Sequence, residues 1–189
     1  MRKLIVFNHV SLDGYFVDGA GSMRWARGGG SQDLEWDNFV AANAPGDGVL
    51  VFGRVTYDLM ASYWPTPMAK QNDALIADRM NSAPKIVFSR SMDKASWNNT
   101  KLVKGDLPTE MRKLKQEPGG GMVILGSGSI VSQLADAGLI DAYQVVVNPI
   151  VLGRGRTMFH GVKDRLNLKL TTARSFGNGN VFAAYELAA

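Results

Sequence analysis

Six short apolar runs set the limits on this fold. They occupy residues 4–7, 49–52, 86–88, 122–125, 145–147 and 150–152. Several are continuous rather than alternating, the pattern of strands covered on both sheet faces. Helical spacing lies between them. Residues 33–43 put Trp36, Phe39 and Val40 on one stripe, with Ser31 as expected N-cap. Residues 55–63 align Val55, Leu59 and Tyr63, and residues 130–137 carry Ile130, Val131 and Leu134 before Gly138. A fourth helix is predicted over 69–80. Strands alternating with helices predict an α/β fold with a largely parallel sheet.

The last third changes character. Strand-like segments fall near 143–147, 166–176 and 181–187, the last two joined by Gly177-Asn178-Gly179-Asn180. That linker is a hairpin signal, so the sheet is expected to end in antiparallel strands. Gly28-Gly29-Gly30, after Gly19 and Gly21, reads as a long loop of the functional kind. At 189 residues, with no repeat or linker, one domain spanning 1–189 is expected.

Composition removes several chemistries. Cysteine is absent, which excludes disulfides, thiolate metal sites and a cysteine nucleophile. Only His9 and His160 are histidines, so no metal site is expected. The net charge is +4 and scattered, without the basic stripe of a nucleic-acid binder. The first apolar run is too short for a signal-peptide core, and no run has membrane-spanning length. A cytoplasmic protein acting on a small molecule is expected, with no nucleic-acid or membrane partner.

Three of the apolar runs end in small or basic residues. Residues 49–52 lead into Gly53-Arg54-Val55-Thr56, 86–88 into Ser89-Arg90-Ser91, and 122–125 into Gly126-Ser127-Gly128-Ser129. In a parallel sheet these turns share the carboxyl edge, where α/β ligands bind. Gly53 and the Gly126–Ser129 turn each precede a predicted helix, whose free N–H groups favour an anion. Arginine grips phosphate oxygens in pairs. Each turn alone also fits an ordinary N-cap or surface loop; together they point to a nucleotide phosphate site. Neither a G-x-G-x-x-G fingerprint nor a Walker A motif is present.

With these residues in view, the chain resembles the dihydrofolate reductase-like superfamily. It is most similar to single-domain proteins related to the C-terminal reductase domain of bacterial riboflavin-biosynthesis deaminase-reductases. The matching pieces, in order, are Ser11-Leu12-Asp13-Gly14-Tyr15-Phe16, Gly53-Arg54-Val55-Thr56-Tyr57, Tyr63-Trp64-Pro65, Lys85 to Arg90, Gly126 to Ser129, and Asn148-Pro149 to Arg156 with Phe159. The resemblance implies a three-layer α/β/α fold, its mixed, mostly parallel sheet closed by antiparallel C-terminal strands. It also implies NADPH as cofactor and a homodimer. By the same likeness Gly53, Arg54 and Thr56 hold the pyrophosphate region. Ser89, Arg90 and Ser91 face the adenosine 2′-phosphate, and Gly126, Ser127, Gly128 and Ser129 take the other side of the pyrophosphate.

The implied activity is NADPH-dependent reduction of a small pyrimidine- or pterin-like heterocycle, as in 5-amino-6-(5-phosphoribosylamino)uracil reductase. Two departures bear on substrate. Leu125 stands where the riboflavin enzymes carry an acid, and Asn8 and His9 stand where they often carry lysine. A catalytically silent NADP-binding or ligand-binding module is the alternative. Hydride chemistry also needs a proton source. Asp37, on the first helix, reads either as a buried donor or as a solvated helix carboxylate. Asp13 reads either as a substrate-facing acid or as a turn former before Gly14. His9 reads as a packed histidine, and Trp25 and Trp64 as core aromatics or stacking surfaces.

Overall fold

The computed structural model describes residues 1–26, 33–43 and 48–188. The Gly28–Gly30 stretch and Ser31 lie outside the described residues. In chain order the elements are β1 (Leu4–Ser11), β2 (Tyr15–Asp18), α1 (Leu34–Asn43), β3 (Val49–Gly53), α2 (Arg54–Tyr63), α3 (Pro67–Asn72), α4 (Ala74–Ser82), β4 (Lys85–Phe88), β5 (Thr100–Val103), α5 (Leu107–Gln116), β6 (Met122–Leu125), α6 (Gly128–Asp136), β7 (Ala142–Asn148), β8 (Gly155–Thr157), β9 (Leu168–Ser175) and β10 (Val181–Leu187).

Eight strands form one sheet in the order β5-β4-β3-β6-β1-β7-β10-β9, and β2 pairs with β8 in a separate ribbon. The strands from β5 to β7 run parallel, while β10 is antiparallel to β7 and β9 to β10. Strand alternation splits the core. Val51, Ile86 and Ile124 pack with Met111, Leu114, Val131 and Leu134 of α5 and α6. Leu50, Phe52 and Val87 point the other way, to Tyr57 of α2, Met80 of α4 and Trp97. On that opposite side Trp36 and Phe39 of α1 meet Val146, Phe176 and Phe182. Continuous apolar strands therefore have helices on both faces, and the three layers follow.

Several expectations need correction. The helix predicted over 69–80 is two helices, because Asp73 leaves the helical path and its side chain accepts the Ile76 N–H at 3.0 Å, starting α4. Residues 150–152 form no strand; the Ile150 carbonyl instead accepts the Leu12 N–H at 2.8 Å. Asp33 supplies a cap to α1, accepting the N–H groups of Glu35 and Trp36 at 3.0 and 3.1 Å. Four elements have no counterpart among the sequence expectations: β2, β5, α5 and β8. Among the described residues, no helix is long and apolar enough to cross a membrane.

Candidate functional site

Sheet register assembles the site. Gly53 sits beside Phe88 across the β3–β4 ladder, and Phe7 beside Leu125 across β1–β6. The turns after β3, β4 and β6 are thus neighbours at the carboxyl edge. A cleft of about 400 Å³ opens there. Gly53, Arg54, Thr56, Ser89, Arg90, Ser127, Gly128 and Ser129 all line it. Ser91 and Gly126 do not. The Ser89 hydroxyl accepts the N–H groups of Ser91 at 3.3 Å and Met92 at 3.1 Å, which shapes the turn after β4.

The turn after β6 is held by side chains. Gly126 and Ser127 both have left-handed backbone, at φ 59° and 58°. For Ser127 this conformation is strained, and its neighbours must enforce it. The Gly126 N–H donates to Asn8 Oδ1 at 2.6 Å, the Ser127 N–H to Thr56 Oγ1 at 3.1 Å, and the Gly53 N–H to Ser127 Oγ at 2.8 Å. Residue 126 must be glycine, since a Cβ there would lie 2.9 Å from Thr56 Cγ2 on top of its positive φ. Thr56 is therefore a support as well as a wall.

Electrostatically the cleft suits an anion. Among the described residues its lining contains three arginines, Arg54, Arg90 and Arg156, and no carboxylate. Helices α2 and α6 both begin at it, with N-cap residues Gly53 and Ser127 that make no side-chain cap. Their first N–H groups and positive dipole ends stay available. Arg54 is 3.6 Å from Asp58, both side chains about half exposed, so water screens the pair. Phe88, Leu107, Val55 and Leu59 add apolar wall. Arg156 was not singled out as a site residue by sequence reasoning. It arrives on β8, whose pairing with β2 has no local signal in the chain.

The two carboxylates expected to do chemistry stand elsewhere. Asp13 is exposed and its oxygens are taken: Ser11 Oγ donates at 2.6 Å, the Leu152 N–H at 3.1 Å and the Gly153 N–H at 2.7 Å. The Ser11 hydroxyl and these backbone donors hold its pKa down at about 2. Asp37 is exposed on α1 and is not part of the cleft lining. His9 packs edge-on to Phe7 and Trp36, and burial lowers its pKa despite the Asn148 hydrogen bond. Asn148 Nδ2 donates to Val10 O and Val146 O at 3.2 and 3.1 Å, and His9 Nδ1 lies 3.2 Å from Asn148 Nδ2 and 3.5 Å from its Oδ1. Trp64 joins the core beside Tyr57, and Trp25 donates to Ser22 O at 3.1 Å.

Comparison with known proteins agrees with this architecture. The chain is 28% identical over 185 residues to the uncharacterized protein YyaP of Bacillus subtilis (strain 168), covering 98% of this chain and 95% of that one. Among solved structures, it superposes on a putative riboflavin biosynthesis protein from Shewanella sp. PV-4 with a TM-score of 0.73, at 23% identity over 99% of both chains. It also superposes on dihydrofolate reductase from Enterococcus faecalis, solved with NADP(H), with a TM-score of 0.61 at 14% identity, over 99% of this chain and 97% of that one. These likenesses fix the fold as dihydrofolate reductase-like. Residues 2–182 match the RibD C-terminal domain, and the chain belongs to that family.

Proposed function

We propose that this protein is an NADPH-dependent reductase of a small pyrimidine- or pterin-like heterocycle. One observation carries the reading: a cleft lined, among the described residues, by three arginines and no carboxylate, with two uncapped helix N-termini, at the carboxyl edge of a parallel sheet. The donor set fits a dinucleotide phosphate. In this reading Gly53, Arg54 and Thr56 hold one side of the pyrophosphate, and Ser127, Gly128 and Ser129 the other, with Gly126 shaping their turn. Ser89 and Arg90 meet the 2′-phosphate, with Ser91 shaping their turn, which favours NADPH over NADH. Phe88 and Leu107 supply apolar surface for the base. The solved relative with NADP(H) bound lends support. The reduced nicotinamide, when bound, supplies the hydride.

What the chain itself supplies is binding and orientation. Asp13, ionised at neutral pH, is an acceptor and not a proton source in this reading, and Asp37, outside the cleft lining, is assigned no step. The same reading includes a homodimer, which light scattering in solution tests. The test of activity is loss of reduced-nicotinamide absorbance with a panel of pterins and aminopyrimidines. NADPH oxidation dependent on one of these is expected.

A second reading rests on Leu125. The residue before the Gly126 turn is apolar and packs with the Trp97 cluster, which leaves no charge at that position. A silent NADP-binding module follows if NADPH binds and no heterocycle is reduced.

A further inference from the structure

We propose that Asp13 and Arg156 act as one unit: Asp13 fixes the loop that carries Arg156 over the cleft, and Arg156 grips the diphosphate of the bound nucleotide. This inference rests on the nucleotide reading above.

The β8 strand has three residues, all exposed. Its hold on β2 is short, so its position needs outside support. Asp13 provides it, binding the backbone N–H groups of Leu152 and Gly153, while the Leu12 N–H donates to Ile150 O. Residues 150–153 are thereby laid along the turn after β1. Gly155 then lets the chain meet β2 backbone to backbone. A Cβ at 155 would lie 2.0 Å from Val17 O, so only glycine allows this approach. The two flanking arginines diverge. Arg154 lies across Gly19, with Nε 2.9 Å from where a Cβ would stand, while Arg156 reaches the cleft wall.

The position of the ribbon selects the diphosphate. A Cβ on Gly128, the first residue of α6, would lie 3.1 Å from the Phe16 ring and 3.6 Å from Met158 O. Phe16 belongs to β2, and Met158 directly follows β8. The ribbon that bears Arg156 is therefore seated on the N-terminus of α6. Ser89 and Arg90 follow β4, separated from β6 by β3. A guanidinium from the ribbon meets an anion held at α6, and its planar fork suits two phosphate oxygens. Among the described residues Arg156 makes no ion pair, whereas Arg54 leans on Asp58.

The test is calorimetric binding of NADPH, NADH, ADP-ribose and adenosine 2′-monophosphate to the whole protein. Arg156→Gln is expected to weaken the three diphosphate ligands alike, by roughly tenfold, and to leave adenosine 2′-monophosphate unchanged. Arg156→Lys recovers part of the loss. Asp13→Asn shows the same ligand pattern, and the double variant binds no more weakly than Arg156→Gln alone. A merely structural Asp13 would weaken all four ligands together. A loss confined to NADPH overturns the diphosphate assignment, and additive losses overturn the unit. Unchanged binding in Arg156→Gln overturns the role of Arg156 while the nucleotide reading stands. No binding of any ligand by the wild-type protein overturns both.

Discussion

Asn8 and Gly126 exchange two hydrogen bonds: the Gly126 N–H donates to Asn8 Oδ1 at 2.6 Å, and Asn8 Nδ2 donates to Gly126 O at 3.3 Å. The β1–β6 register puts them side by side, one residue past the Phe7–Leu125 pair. A side-chain amide thus replaces the next rung of the ladder where the chain turns into α6. Asn8 is 2% exposed, so water cannot stand in for it. Asn8→Ala is expected to cost about 2–4 kcal/mol, from two buried backbone groups left unpaired. Urea unfolding measures the loss, and nucleotide affinity falls with it because the turn relaxes. A variant with wild-type stability would contradict this assignment.

Gly155→Ala tests the ribbon separately from the main sheet. The added methyl must push Val17 O away from a 2.0 Å approach. A cost of about 1–3 kcal/mol is expected from overpacking. The effect falls on β2 and β8, so hydrogen exchange should quicken at residues 15–18 and 155–157 and stay unchanged in β3, β4 and β6.

Arg90→Ala separates the two phosphate groups of the proposed cofactor. Arg90 lines the cleft next to Ser89, whose hydroxyl already anchors its own turn. Affinity for NADPH is expected to fall about tenfold or more, with NADH unchanged. Equal losses for both would move Arg90 away from the 2′-phosphate.

Acid should loosen the loop held by Asp13. Its pKa is about 2 in the fold against 3.8 for the free group. Between those values the unfolded chain binds more protons than the native one, so stability rises with pH across that window and falls on acidification. The contribution is complete above about pH 4 and lost as pH drops through about 2. Asp33 shifts the same way, held down by backbone donors led by Trp36. The difference between wild type and Asp13→Asn isolates the Asp13 part. In the variant the acid slope should be shallower.

Much of the fold was legible because buried parallel strands write continuous apolar runs, as in residues 49–52 and 86–88. The β9–β10 hairpin was legible from Gly177 to Asn180. β5 was not: Thr100–Val103 alternates weakly and sits at the sheet edge. The α5 helix had its signals, with Asp106 as cap, proline in the first turn, and Leu107, Met111 and Leu114 on one face. Arg112, Lys113 and Lys115 dilute the apolar pattern of that stretch with charge. Lys115 is in fact buried and paired with Asp141. The cleft residues after β3, β4 and β6 were legible because strand ends and glycines are local features. Arg156 was not, since its place depends on a partner strand far away in the chain. Asp13 was ambiguous for the same reason: the N–H groups it binds lie some 140 positions downstream.

On the proposed function, this cleft holds NADPH and prefers it to NADH. Thermal unfolding with each cofactor tests it most directly. A ligand at about 100 times its Kd adds about 2.7 kcal/mol, which raises the midpoint of a chain this size by roughly 5–10 °C. That rise is expected with NADPH, and a much smaller one with NADH at the same concentration. No rise with either would mean that the arginine-lined cleft does not bind a nicotinamide dinucleotide.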